Sequence, residues 1–556
     1  MLIKKILIIL FIGCIPVKSF LQNQLILDSI SIQKMNTKNL SKIQISNLAF
    51  LGKVWGFLKY HHPKVTSGYY NWDSELFRIM PKILDANNPS SRDKILLQWI
   101  QDLGDTILIN PINCENEPNI KQKADYSWIN SKAMNKGLVN KLLGIKKNNV
   151  NENYYAITNG SYTFTNEDPY YSIIGYPNAY FRLLSLFRFW NIIQYHYPYR
   201  YMITEEPWND IIEKLIPKFI EAKNAEEYRL SILSMLQYVH DSHAILTSDP
   251  DRRKKPGIKI KFIDEKATVI YVSNNIRQLK VGDIIMEKNG EKIGNIVQRM
   301  VPITPASNKS AQFRDIAREI LCSNDSFVKL KVQRNDSIFN IIEPTKLYSI
   351  YVEPSPNKVF KLISKDIGYI HIGTVASNQL KAIFEASKQT KGLILDLRNY
   401  PLDFDVLYNL SDYLLPHPIP FVQFSTMSFN CPGVSLMGYI GEVGRDRTDY
   451  YKGKIVILVD ENTQSRAEFF AMAFQKAPNS IVIGSQTAGA DGNIINISLV
   501  GGYNTAISGV GVYYPDGKET QRIGIVPNFE VKPTIEGIKK GKDEVLEKAI
   551  EYLNKN

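Results

Sequence analysis

The chain is 556 residues long, with 44% apolar and 22% charged residues. That balance excludes a disordered or collagen-like polypeptide and predicts roughly three to four domains. The net charge of +12 (67 basic against 55 acidic residues) is spread along the chain in short clusters such as Arg252-Arg253-Lys254-Lys255. No nucleic-acid motif accompanies them, so a solvated basic surface is expected and nucleic-acid binding is not.

Lys4-Lys5, the apolar run Ile6–Ile15 and then Pro16-Val17-Lys18-Ser19 open the chain. A basic start, a short apolar core and a small residue at the end predict a secretory signal over residues 1–19, cleaved after Ser19. The run is too short for a membrane span. Phe11-Ile12-Gly13-Cys14 also resembles a degenerate lipobox, which leaves lipid attachment at Cys14 as the alternative. Either way the mature chain is expected outside the cytoplasm, in the periplasm, cell envelope or medium. Cys114, Cys322 and Cys431 then remain; they are widely spaced and odd in number, so no disulfide framework is expected.

An internal repeat follows. LGKVWGFLKYHHP (51–63) aligns with LFRFWNIIQYHYP (186–198), so that Trp55, Tyr60, His61 and Pro63 match Trp190, Tyr195, His196 and Pro198 at an offset of 135 residues. Each copy continues into amphipathic helical patterns, which predicts two all-helical units over 45–107 and 181–250. Recurrence of His61 and His196 at equal positions suits packing and a Pro-terminated helix better than a ligand site. The copies diverge at their ends: Asp105-Thr106-Ile107 in the first, Asp241-Ser242-His243 in the second. Between them, residues 108–180 are rich in Asn, Lys and Tyr and are expected to be linker or loop.

Residues 256–345 switch to short alternating apolar segments, Ile258–Phe262, Thr268–Val272, Phe327–Val332 and Ile338–Ile342, which predict β-strands. LKVGDIIMEKNGEKI (279–293) carries two turn glycines around a strand and resembles the PDZ signature; PDZ modules bind extended peptides at a sheet edge. From residue 355 to 553, strand and helix patterns alternate: GYIHIGTV, GLILDLRN, KIVILVD and SIVIGSQTAG are strands with helices between them, and VYYPDGKETQRIGIVPNFEV reads as a hairpin before a last helix. Such alternation predicts an α/β core.

Ser465 stands where KIVILVD turns into a helix. Two readings compete there. Ser465-Arg466-Ala467-Glu468 is a capping box, and this segment alone favours that reading. A serine at unpaired helix amides also suits a nucleophile, because an oxyanion would meet backbone donors.

The ordered set of DSHA (241–244), the PDZ-like segment, GYIHI, LDLRN, the Ser465 segment, IGSQTAG and GIVPN (524–528) resembles the C-terminal processing (tail-specific) peptidases and the tricorn core protease. The resemblance spans roughly residues 181–553 and turns the balance at Ser465 toward the nucleophile. It implies a ClpP/crotonase-like α/β core with an inserted PDZ-like β module behind an N-terminal helical duplicated region, and hydrolysis of polypeptide substrates by a serine. The processing-peptidase branch pairs its serine with a lysine in a turn that here reads Gly484-Ser485-Gln486-Thr487-Ala488-Gly489-Ala490; Gln486 and Ala490 hold the lysine positions, so a Ser/Lys dyad is excluded in this turn. The tricorn-like branch uses a Ser-His pair and a distant glutamate, which carry over to Ser242, His243 and Glu519. His243 would be the base; Ser242 or a carboxylate, Asp241 by adjacency, would orient it, and the role of Glu519 stays open.

The resemblance places the oxyanion donors at the amide of Arg466 and at a glycine-rich turn. Here that turn reads Asn399-Tyr400-Pro401-Leu402-Asp403 without glycine, and Pro401 has no N–H, so the second donor would be Tyr400 or Leu402. No His/Glu cluster has metal-ligand spacing, and no metal or other cofactor is expected. The rival reading is a peptide-binding pseudo-peptidase on the same fold.

Overall fold

A computed structural model describes residues 40–555 apart from 105–113, 115, 131, 133, 149–152, 159–161, 167–170, 172–173, 249–253 and 348–357. The expected signal segment, Cys14 and Asp105-Thr106-Ile107 lie outside the described residues.

The element that carries Ser465 is a six-stranded sheet in the order Phe360–Ser364, Ile367–His371, Gly392–Asp396, Lys454–Val459, Ser480–Gly484 and Phe529–Glu530. Its first pair is antiparallel and the other four pairs are parallel. Near-continuous apolar runs such as Leu393-Ile394-Leu395 and Ile455–Val459 suit this arrangement, because a central parallel strand is covered on both faces. Alternate residues serve the two faces. Leu393, Leu395, Ile455 and Ile457 pack with Leu407, Leu410, Phe470 and Phe474 from the helices Val406–Leu414 and Arg466–Phe474. Ile394, Val456 and Leu458 pack with Val545, Ala549 and Leu553 of the C-terminal helix Glu544–Asn554.

Two further sheets accompany this layer. Ile120–Gln122, Ser435–Val443, Ile419–Met427 and Gly511–Tyr513 form one, and Ile494–Ser498, Asn504–Ser508 and Leu246–Ser248 form the other. The expected hairpin over 512–531 is not a pair of strands. One bridge, Tyr513 to Glu519, closes its turn, and the arms leave for different sheets because Gly511–Tyr513 pairs with Ile419–Met427 and Phe529–Glu530 with Ser480–Gly484.

The N-terminal region holds two sets of helices: Lys42–His61, Trp72–Leu84 and Pro89–Asp102, then Ala179–His196, Trp208–Glu221 and Ala225–Gln237. In the first, the indoles of Trp55 and Trp72 each donate to the other's backbone carbonyl (3.0 and 2.9 Å); Trp190 and Trp208 do the same in the second (2.9 and 3.2 Å). The helices share one core with the sheet hairpin Ile494–Ser508, through Ile495, Ile497, Leu499, Val500 and Ile507. Two buried bonds fix that dock: Tyr228 Oη donates to Val500 O (3.0 Å) and Val500 N–H donates to Ser185 Oγ (2.9 Å). Residues 258–344 form a separate five-stranded antiparallel path with the helices Ile293–Met300 and Lys309–Glu319 packed on it.

Two further expectations are corrected. Residues 108–180 are not a plain linker: they hold the strand Ile120–Gln122, the helix Lys136–Lys146 with Leu138, Leu142 and Ile145 buried, and the paired strands Ala156–Thr158 and Tyr162–Phe164. Their polar composition hides short elements that bury one face each. Cys114 and Cys431 also form a disulfide across 317 residues. Their spacing carries no signal because the fold, not the sequence, brings them together. Cys322 is buried and lies outside that disulfide.

Candidate active site

Ser465 is the residue before the helix Arg466–Phe474, with φ 55° and ψ −125°. That left-handed conformation is costly for a residue with a Cβ and persists only where its surroundings enforce it. They do so through the backbone. Ser465 N–H donates to Ala490 O (2.8 Å) and to Glu468 Oε2 (3.2 Å). The expected capping box is therefore half built. Glu468 reaches back, but the N–H of Glu468 goes to Ser465 O (2.8 Å), and among the described residues Ser465 Oγ makes no hydrogen bond. The Arg466 N–H is likewise without an acceptor among them.

Glu468 holds this geometry from below, a role that sequence reasoning confined to a cap. Its buried carboxylate also accepts from Thr487 Oγ1, Gly489 N–H (2.8 Å) and Ala490 N–H (3.0 Å), stapling the serine turn to the Gly484–Ala490 turn. Burial raises its pKa, against those four hydrogen bonds, which lower it. Beside it Asp491 is buried too, with its pKa driven well up by burial and by the Glu468 charge.

His243 arrives from the end of the second helical set. Its side chain is 8% exposed. Nδ1 lies 3.0 Å from Ser508 Oγ and 3.7 Å from Asp241 Oδ1, while Nε2 has no partner among the described residues. Asp241 is fully buried and accepts from the N–H groups of His243 (2.9 Å) and Ser508 (2.8 Å). Burial lowers the His243 pKa more than the Asp241 charge raises it, so the ring is neutral at pH 7.

Ser242 is placed differently from the reading that it orients His243. Its Oγ donates to Ala488 O (3.2 Å) and accepts from Ser307 N–H (2.9 Å), and its own N–H goes to Ser307 Oγ (2.8 Å). The orienting contacts to the imidazole come from Asp241 and Ser508. Ser508 was missed, because nothing local marks a strand-end serine as a partner of a residue 265 positions away.

The serine and histidine turns are laced together. Gln464 Nε2 donates to Ser242 O (3.3 Å), and Ala488 links both sides by donating its N–H to Thr463 O (3.0 Å) while accepting from Ser242. Ser465 Oγ and His243 share no direct hydrogen bond. Glu519 makes no bond to either residue. Its Oε1 accepts from Lys121 Nζ (2.6 Å) and Tyr201 Oη (2.8 Å), and its Oε2 is buried without a partner among the described residues.

Of the two proposed turn donors, Leu402 is spent: its N–H donates to Gly373 O (3.2 Å). Only Tyr400 keeps an N–H without an acceptor among the described residues. No group of three or more His, Cys, Asp and Glu among those residues is arranged to hold a metal, and no helix among them is long and apolar enough to cross a membrane.

Residues 409–531, which include Ser465, Ser508 and Glu519, match the model of peptidase family S41. No curated protein matches the chain. Among solved structures, mature CPAF complexed with lactacystin is similar at a TM-score of 0.56 and 13% identity, over 68% of this chain and 97% of that one. At that identity the likeness is one of fold. The photosystem II D1 C-terminal processing protease (TM-score 0.39, 16% identity, 66% of this chain and 98% of that one) and the tricorn protease (0.34, 16%, 67% and 36%) lie further off and add no argument.

Proposed function

The chain carries a peptidase family S41 domain, and on that premise we propose that it is an exported serine peptidase acting on polypeptides through Ser465 and His243. One observation carries the reading: Ser465 sits at positive φ on a helix N-terminus with its hydroxyl uncommitted and the adjacent Arg466 amide open. A serine held there only as a cap would spend that hydroxyl on the helix.

The chemistry follows from the placement of each group. The neutral His243 Nε2 takes the Ser465 proton as Oγ attacks the scissile carbonyl carbon, and the C–O bond forms as the carbonyl π bond breaks. The amides of Arg466 and Tyr400 bind the oxyanion. Nδ1–H donates to Ser508, and the Asp241 carboxylate stabilises the imidazolium. The imidazolium then gives its proton to the leaving amine, the acyl-enzyme forms, and water repeats the sequence. Glu468 positions the serine. Ser242 ties the histidine turn to Ala488, and Glu519 is a supporting member whose contacts here are Lys121 and Tyr201.

The reading extends to a ClpP/crotonase-like core, a PDZ-like module over 256–345 and a duplicated helical scaffold, supported by the strand layout and by the reciprocal tryptophan bonds in both helical sets. Export is supported by the basic-apolar start of the chain and by the Cys114–Cys431 disulfide, since such bonds persist in oxidising compartments. A second reading, a pseudo-peptidase that binds peptide without turnover, is favoured by the glycine-free turn and the committed Leu402 amide. A fluorophosphonate probe separates the two: the peptidase is labelled and Ser465→Ala is not, whereas the binding protein is labelled in neither form.

A further inference from the structure

Several groups of the turn Asn399–Asp403 are pinned by hydrogen bonds. Asn399 Nδ2 lies 3.0 Å from His371 Nε2. Leu402 N–H donates to Gly373 O, and Asp403 Oδ2 accepts from Ser377 N–H (2.7 Å). From the opposite side comes the Arg466 side chain. Its Nη1 donates to Pro401 O (3.0 Å) and to Leu402 O (3.0 Å), and its guanidinium lies over the rings of Tyr400 (5.2 Å) and Phe404 (5.5 Å). The N–H groups of Asn399, Tyr400 and Asp403 have no acceptor among the described residues, and of the two candidate donors Tyr400 and Leu402 only Tyr400 keeps its N–H open.

Glycines let a turn fold so that an amide faces a developing charge; this turn has none, and its Pro401 has no amide to offer. Its conformation must therefore be imposed from outside. A guanidinium bonded to the Pro401 and Leu402 carbonyls fixes the two peptide planes that follow Pro401, and its place over the Tyr400 ring restrains the residue before it, both from the residue directly after the nucleophile. The serine helix and the oxyanion turn are thereby tied together. Resting on the peptidase reading above, we propose that the Arg466 side chain is a positioning residue that rebuilds the glycine-free oxyanion turn and holds the Tyr400 amide as the second oxyanion donor. The Arg466 backbone amide is present in every variant, so substitutions test the side chain alone.

The test compares full-length wild type, Arg466→Ala, Arg466→Met and Arg466→Lys. Removing an oxyanion donor costs about a hundredfold or more; loosening one is expected to lower kcat by about 10- to 100-fold in Arg466→Ala and Arg466→Met. KM should stay within about twofold, as should peptide affinity measured in the Ser465→Ala background, since ground-state binding does not use the oxyanion site. Affinity for a peptide aldehyde, whose adduct places an oxyanion there, should fall in step with kcat. Arg466→Lys retains a donor and a cation and should recover part of both losses. A merely structural role predicts a fall in melting temperature with KM and kcat moving together; that result overturns the proposal, as does a kcat within twofold of wild type in Arg466→Ala. If Arg466→Ala is unstable, the aldehyde affinity of the milder Arg466→Met decides, and an unchanged value overturns the proposal. Failure of the two readings is distinguishable. A wild type that fluorophosphonate does not label removes the nucleophile and this inference with it, whereas equal labelling rates for wild type and Arg466→Ala remove only the clamp.

Discussion

Two buried histidine environments in this molecule show how context separates a base from packing. His243 and His196 are both buried, both held neutral by desolvation, and both belong to the second helical set or its end. Around His196 stand the rings of Tyr60, Tyr162 and Phe164, and neither ring nitrogen has a hydrogen-bond partner among the described residues. Around His243 stand Asp241 and Ser508, both on Nδ1, with Nε2 left over. An aromatic box asks nothing of an imidazole. A hydroxyl bonded to one nitrogen, with a carboxylate 3.7 Å from it, prepares the other nitrogen to take a proton.

The predictions test that contrast, starting with the largest effect. Ser465→Ala and His243→Ala should each abolish peptide hydrolysis, by about a million-fold where groups act as a unit, with retained folding checked by circular dichroism. Asp241→Asn should lower kcat about a thousand- to ten-thousand-fold, because the imidazolium loses its charge partner; steady-state kinetics with an unchanged KM would check it. Ser242→Ala should cost under about tenfold in kcat. Its main effect is on stability, about 1–3 kcal/mol by denaturant titration, since the buried Ser307 N–H loses its acceptor. His196→Phe should leave activity within about twofold; a loss as deep as that of His243→Ala would break the contrast.

Acid stability sharpens the same point. Burial lowers His61 and His196 to about 3 and His62 to about 4. An unfolded imidazole titrates near 6.5. Between those values the unfolded chain binds protons that the native chain does not, so stability is fully present above about 6.5 and is lost as pH falls toward 3 to 4. Each imidazole contributes a slope of about 1.4 kcal/mol per pH unit. His196→Phe should remove one such increment from the slope of unfolding free energy against pH.

The sequence alone shows the buried strands clearly. KIVILV, GLILD and SIVIG are apolar runs whose position on a two-faced sheet follows from their pattern, and Trp55, Trp72, Trp190 and Trp208 announce equivalent packing in two helical stretches. Less legible was anything made by distant contacts. Leu138, Leu142 and Ile145 form a helical face inside a Lys- and Asn-rich stretch, where composition masks the period. Cys114 and Cys431 meet only through the fold. At the candidate site, Ser465 and His243 stand out by motif order, whereas Ser508 reaches the imidazole from a strand whose register no local pattern reveals. The commitment of the Leu402 amide to Gly373 is a matter of turn geometry, invisible to residue types.

Whether His243 serves Ser465 is read from the rate of fluorophosphonate labelling from pH 4 to 9 in wild type and His243→Ala. The wild-type rate should rise with pH through a single step below 6.5, because only the neutral imidazole accepts the serine proton and burial lowers its pKa. His243→Ala should lose that step and most of the rate. Labelling of His243→Ala at the wild-type rate, with the same pH step, would contradict that role of His243.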